Sequence, residues 1–291
     1  RKKYLERQND QIARRFYLNC IIQNQLKDKD LSKISQSIEL FRSAEPDRVY
    51  VVFTMALHCR PSAVCDGDLS IELYGIKKLA QEMLSDVFDC EVFESDKHVV
   101  GIIALSSEDL AFSRDRIKSA LLQVQEQVVS YFKIEVSTGV GNGAPDLLSV
   151  NLSYKQSMLA LRHVFYYGKG SVIHFEDVDA PEEQASVERE KDELIHAVLT
   201  NQKPDIEEKL ELFIDAVRSS RMRSGDALKL FYLTTLNEIL NEIAKSKQTL
   251  AHEIQRRDSI YELVQSMETL KELEEWFKQS ILNIMQLHDE R

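Results

Sequence analysis

The sequence predicts an α+β protein: a sheet-containing middle domain between a long N-terminal helix and an all-α C-terminal region. Three observations carry this. Residues 1–27 contain neither Gly nor Pro and space their apolar residues as a helix does. Residues 48–175 alternate strand-length apolar runs with helical patterns. Residues 187–287 are helical in pattern throughout.

In the first segment Leu5, Ile12, Phe16 and Cys20 recur at steps of seven and four, with Ile21 next to Cys20, so one helix face is apolar. Asp30 is placed to cap a second helix to about Arg42, and Glu45-Pro46-Asp47 breaks it. Arg48–Leu57 is a near-continuous apolar run, as expected of a central buried strand. A polar loop follows from His58 to Asp68, then a helical pattern over Ile71–Leu84. Cys90–Leu105 reads as two strands around a Glu94-Ser95-Asp96 turn. Ser113 is the expected N-cap of a helix to Phe132, with Asp115 and Arg116 in its first turn. Ile134–Gly139 reads as a strand, Leu147–Tyr167 as a helix and Ser171–Phe175 as a short strand. The order is β-α-β-β-α-β-α-β, and its first six elements are the ferredoxin-like split βαβ arrangement, with helices expected on one face of an antiparallel-containing sheet.

Asp179–Gln184 reads as a linker. Beyond it, breaks at Asn201–Pro204 and Ser224–Asp226, with softer ones near Lys245 and Asp258, predict four or five helices, with Ser224 or Asp226 as a cap. The expected domains are therefore 1–46, 47–180 and 181–291.

Of the 291 residues, 43% are hydrophobic and 29% charged, with 9 Gly and 5 Pro, which excludes disordered, collagenous and low-complexity classes. No apolar run reaches the ~18 residues of a membrane span, so no membrane contact is expected within this chain. The net charge is -11, divided as +4 over residues 1–46, -6 over 47–178 and -9 over 179–291. So acidic a chain is poorly suited to coat a nucleic-acid backbone. Four Cys without framework spacing point to a reducing, cytoplasmic setting. The first residue is Arg1, and the chain reads as a piece of something longer.

Several clusters invite a chemical reading. His58, Cys59, Cys65, Asp66 and Asp68 crowd one loop, but their spacing fits no standard zinc finger, and a polar surface loop is the reading adopted. Cys20 and Cys90 sit on apolar faces, as small core residues do. Gly139, Gly141 and Gly143 follow a strand but are spaced by two, and Pro145 and Asp146 intervene before the next helix; this reads as a strand end rather than a phosphate loop. His98, His163 and His174 are scattered, and no nucleophile motif accompanies them. Tyr154, Phe165, Tyr166 and Tyr167 form an aromatic group that is either core or a ligand shelf. Arg218, Arg221 and Arg223 read as a solvated helix end. No catalytic residue, cofactor site or metal site is assigned.

Three stretches carry a resemblance: Val136-Ser-Thr-Gly-Val-Gly141, Ser153-Tyr-Lys-Gln-Ser-Met-Leu-Ala-Leu161 and Gly168-Lys-Gly-Ser-Val-Ile-His-Phe-Glu-Asp-Val178. They resemble the end of the degenerate GGDEF-like domain in AraC-family bacterial regulators, both YesN-type response regulators and membrane-linked ones. There a strand ending in S-x-G-x-G precedes a helix with S-Y-x-x-A-x-x-A-L, then G-K-G and a short strand closing in an acidic pair. Here Ser157 stands where Ala is usual. Leu5–Leu26 also resembles the charged helix that precedes that domain. The resemblance covers residues 1–180 and, less specifically, the helical stretch 181–291.

It implies a non-enzymatic module. The hairpin that would carry the nucleotide and metal motif is Phe93-Glu94-Ser95-Asp96-Lys97-His98, without glycines, and Phe53–Leu57 offers no carboxylate. Two-metal phosphoryl chemistry needs such carboxylates to hold its ions. The expected role is to couple an upstream receiver or membrane sensor to a C-terminal helix-turn-helix domain that is absent from this sequence, so that DNA is contacted only through that domain. The alternative is a small-molecule sensor of the same type of regulator; a nucleotide cyclase or hydrolase comes third. The expected partner is a second copy, paired through a seam of Leu5, Ile12, Phe16 and Ile21. Each such side chain, once buried, contributes about 1.5–3 kcal/mol.

Overall fold

A computed structural model describes residues 2–25, 34, 37–41, 47–58, 70–178, 187–201, 203–220, 224–246 and 257–289. It is a mixed α+β structure with one five-stranded sheet. The chain divides into two compact units, Arg1–Val164 with Lys169–Asp179, and Phe165–Gly168 with Ala180–Arg291.

The first unit opens with helix α1 (Lys2–Ile22) and, after a 3-10 turn at Glu39–Phe41, enters strand β1 (Arg48–His58). Then come α2 (Ser70–Ser85), β2 (Asp89–Ser95), β3 (His98–Ser106), α3 (Ser107–Phe132), β4 (Glu135–Val140), α4 (Val150–Leu161) and β5 (Val172–His174). The strand order is β2-β3-β1-β4-β5. β1 is antiparallel to both neighbours, with Phe53 opposite Gly101 of β3 and Val140 of β4. The β4–β5 pair is parallel. A central strand is buried on both faces, which is why Arg48–Leu57 is apolar without alternation.

Both faces of the sheet are covered, and this corrects the expectation of helices on one face only. Val51, Phe53 and Met55 face α2 and α3 through Leu73, Ile76, Leu121 and Val124. Tyr50 and Val52 face the opposite layer, where Leu18, Ile21 and Ile22 of α1 and Val150 of α4 close the core. The N-terminal helix thus shares a core with the sheet. Among residues 30–42, Ile34, Ser37 and residues 38–41 are described; the rest of the expected second helix lies outside the described residues.

Three local readings change in the structure. The helix expected from Ser113 starts at Ser107. Ser106 is its N-cap, accepting a hydrogen bond from the Asp109 N–H at 3.1 Å, while the Ser113 hydroxyl donates to the Leu110 carbonyl inside the helix. The strand runs straight into the helix, and Ser106 with Asp109 three residues on is the cap signature that decides the start. The hairpin turns at Asp96-Lys97, with Asp96 at φ 50°. The helix expected over 147–167 divides into a 3-10 turn at Leu147–Ser149, α4, and a single turn at Val164–Tyr167.

The second unit contains α5 (Val187–Thr200), α6 (Lys203–Ser219), α7 (Gly225–Ser246), α8 (Arg257–Ser266) and α9 (Leu270–Asp289). Ser224 caps α7, its hydroxyl accepting from the Ala227 N–H at 3.4 Å. Pro204 lies in the first turn of α6, where its missing N–H would have no intrahelical partner. Phe213, Tyr232 and Phe277 are fully buried at the centre, with ring centroids 4.9–5.7 Å apart.

Candidate functional site

The second half of α1 presents two opposed faces. Leu18, Ile21 and Ile22, at steps of three and one, share the face that enters the core. Ile12 and Phe16, one turn apart on the opposite face, are 67% and 63% exposed. Ile21 therefore belongs to the unit's own core and is withdrawn from the expected pairing seam. The Leu5 side chain lies outside the described residues.

Arg14 and Arg15 flank the buried stripe and reach the edge strand β2. Arg14 pairs with Glu91, and Arg15 with Glu94 at 3.3 Å. Glu94 also meets Lys77 of α2 at 3.5 Å. Its carboxylate thus takes one cation from each helical layer at the rim of the sheet. The Asn19 amide adds a hydrogen bond to the Glu94 carbonyl at 3.4 Å. An exposed ion pair contributes about 0–1 kcal/mol, but a carboxylate taken from water depends strongly on its partner. Glu91 and Glu94 are both buried. Burial raises the Glu91 carboxyl above its ordinary range, and the Arg14 guanidinium only partly opposes this.

This arrangement lies on the hairpin that the resemblance aligns with a nucleotide-binding motif. A carboxylate that holds a metal ion must keep oxygen lone pairs open toward it; Glu91 and Glu94 turn theirs to arginine and lysine. In β1, Thr54 is buried and hydrogen-bonded to Ser157 at 2.7 Å. The paired charges dock α1 on β2. Sequence reading missed Arg14 and Arg15 because their partners lie more than seventy residues away.

The glycines after β4 have a packing role. A Cβ on Gly139 would lie 2.0 Å from the Ser157 carbonyl oxygen, and one on Gly141 2.0 Å from that of Ser153. These glycines let α4 approach the strand at backbone distance. Small residues one turn apart, Ser153 and Ser157, are the helix side of the same contact. Ser153 Oγ accepts the Val52 N–H at 3.0 Å, just past the end of the β1–β4 ladder. Three of the loop N–H groups are engaged as well: Gly141 to the Val52 carbonyl at 2.8 Å, Asn142 to Gln156 Oε1 at 3.0 Å, and Ala144 to the Tyr50 carbonyl at 2.7 Å. A phosphate cradle would need such donors open.

The aromatic group is divided between the two units. Tyr154 packs against the sheet in the first unit. Phe165 and Tyr166 pack into the helical core of the second, where burial pushes the Tyr166 hydroxyl up to about 12. Tyr167 is 54% exposed. Each of the three packed rings has its place in a core, which is the core reading of the expected alternatives.

His58 ends β1 and is hydrogen-bonded to Ser137 Oγ at 2.8 Å. Burial, reinforced by Lys169, lowers its pKa. Cys59, Cys65, Asp66 and Asp68 lie outside the described residues. Among the described residues no group of three His, Cys, Asp or Glu is placed to hold a metal ion. Cys20 is half-buried, and burial pushes the Cys90 thiol up to about 11. Arg218 is not simply a solvated helix end: its guanidinium makes two hydrogen bonds, 2.8 and 2.6 Å, to the buried Glu274. Arg221 and Arg223 lie outside the described residues. Among the described residues no helix is long and apolar enough to cross a membrane. No family model matches the chain, and comparison with curated proteins finds no match.

Proposed function

We propose that this chain is a non-enzymatic signal-transmission region of a bacterial AraC-family transcription regulator, built on a degenerate GGDEF-like domain of ferredoxin-like split βαβ form. The strand order β2-β3-β1-β4 and its antiparallel pairs support that fold reading. The observation that carries the functional reading is the docking of α1 on β2 through Arg14–Glu91 and Arg15–Glu94, with Ile12 and Phe16 left outward. A helix held to the sheet by charge on one side and open to a partner on the other is suited to relay an upstream event. The protein acts in the cytoplasm as a homodimer, and DNA is contacted by a helix-turn-helix domain outside these 291 residues.

Sedimentation of the chain and of an Ile12→Asp/Phe16→Asp variant tests this reading. The expected result is a dimer that becomes a folded monomer. A variant of unchanged mass removes the seam, and turnover of GTP with magnesium overturns the non-enzymatic assignment.

A further inference from the structure

At the end of the sheet opposite the β2–β3 turn lies a cavity of about 350 Å³, between the sheet and the first turns of α3. β4 and β5, which are parallel, both end there. Val51, Leu110, Ile117 and Val140 supply an apolar lining. His174, the last residue of β5, lines the same space and is 6% exposed. Its Nε2 is buried without a hydrogen-bond partner. Buried polar atoms are almost always satisfied, so an orphan nitrogen in a ring that lines a cavity marks a missing partner beside it. The volume falls within the ~300–1,000 Å³ of small-molecule sites.

The surroundings restrict the charge of an occupant. The α3 N-terminus is already capped by Ser106 and carries Glu108 and Asp109, which disfavours an anion. Arg114 is paired with Asp177 and with Glu176 at 3.4 Å, so its positive charge is taken. The Gly141, Asn142 and Ala144 N–H groups are already bonded within the protein. The Glu176 carboxylate that also lines the cavity is engaged by Arg114, so a cation would find no free carboxylate against the apolar wall. Burial holds the His174 imidazole down to about 4, so it is neutral at pH 7, with one donor and one acceptor nitrogen.

We propose that this cavity binds an uncharged, compact organic molecule, whose ring nitrogen or hydroxyl pairs with the His174 imidazole and whose apolar body lies against Val51, Leu110, Ile117 and Val140. The proposal depends only on the residues around the cavity, so it stands or falls separately from the regulator reading.

Nitrogen-15 histidine spectra of the whole chain at pH 7.5 provide the test, with the His174 signal assigned by its loss in His174→Phe. The probes are benzimidazole, which is neutral at that pH, and benzimidazole-5-carboxylate, which adds one negative charge to the same ring. Benzimidazole is expected to shift the His174 resonance saturably. The carboxylate should bind roughly tenfold or more weakly. Leu110→Trp fills the cavity and should weaken the benzimidazole response by a similar factor; Ser107→Trp, at an exposed position of the mouth, provides a second block that leaves the core untouched. No shift at millimolar benzimidazole, a shift undiminished in both tryptophan variants, or a carboxylate that binds as well as the neutral probe would each overturn the proposal.

Discussion

The two units reach a dry interior by different means. In the first, strand β4 and helix α4 meet backbone to backbone at Gly139 and Gly141, and polar groups are buried in bonded pairs such as Thr54–Ser157 and Gln125–Thr138, the latter at 2.8 Å. In the second, bulk fills the centre: Phe213, Phe231, Tyr232 and Phe277 pack as rings between helices, and the buried Glu274 is met by Arg218. Where β4 meets α4 the first interior is limited by clearance, so it tolerates little added volume there. The second is limited by filling, so it tolerates little removed volume.

That contrast can be broken or sharpened by substitution. The largest effect is expected from Phe277→Ala, which empties the centre of the second unit. It should cost about 3–5 kcal/mol, read by urea unfolding followed through Trp276, the only Trp of the chain. Equal loss of hydrogen-exchange protection in β1 and β3 would break the distinction between the units.

The next effect is on pH dependence and belongs to the first unit. The His174 pKa lies at about 4, below its ordinary 6.5, so the unfolded chain takes the proton first on acidification. This contribution is fully present above pH 6.5 and is lost as pH falls from there through about 4. The shift corresponds to about 3 kcal/mol. His174→Phe should flatten the unfolding midpoint over that window; an unchanged slope would assign the acid sensitivity elsewhere.

Gly141→Ala adds one methyl group where backbone leaves none of the room it needs. A cost of about 1–3 kcal/mol is expected, with faster exchange in β4. The same change of volume in the second unit would be absorbed by side chains. The smallest effect is expected from Tyr232→Phe. The Tyr232 hydroxyl is buried without a partner, so removing it should be neutral or stabilising by up to ~1 kcal/mol. A clear loss of stability would mean that the hydroxyl contributes to the Arg218–Glu274 contact.

Element order was legible because each strand and helix has its own apolar period. Arg48–Leu57 announces a central strand by lacking alternation, and the bounds of β1 match it to within a residue. The start of α3 was misplaced because Ser113 has the form of a cap, and only the end of the β3 ladder shows that Ser106 takes that role. Coverage of both sheet faces was not legible: Leu18, Ile21 and Ile22 form an apolar stripe, but a stripe does not state whether a sheet or a second copy covers it. The dock on β2 was hidden for the same reason, since Arg14 and Glu91 acquire meaning only when the fold brings them together. The cavity beside His174 depends on an unfilled space, and an unfilled space has no residue to represent it in a sequence.

The sheet has two edges, and they are protected differently. β5 pairs through three residues only, too short to template the addition of a foreign strand. β2 is seven residues long and contains Cys90-Glu-Val-Phe-Glu94, a segment whose aggregation is restrained by its two acidic residues and by the helix lying against it. The edge backbone itself is held mostly from the other layer: the Gln81 amide of α2 donates to the Cys90 carbonyl at 3.0 Å and accepts from the Val92 N–H at 2.7 Å, while α1 reaches only the Glu94 carbonyl through Asn19. Detaching α1 would therefore open one end of this edge and leave its middle closed, so the strand stays guarded against the addition of further chains even when the helix moves.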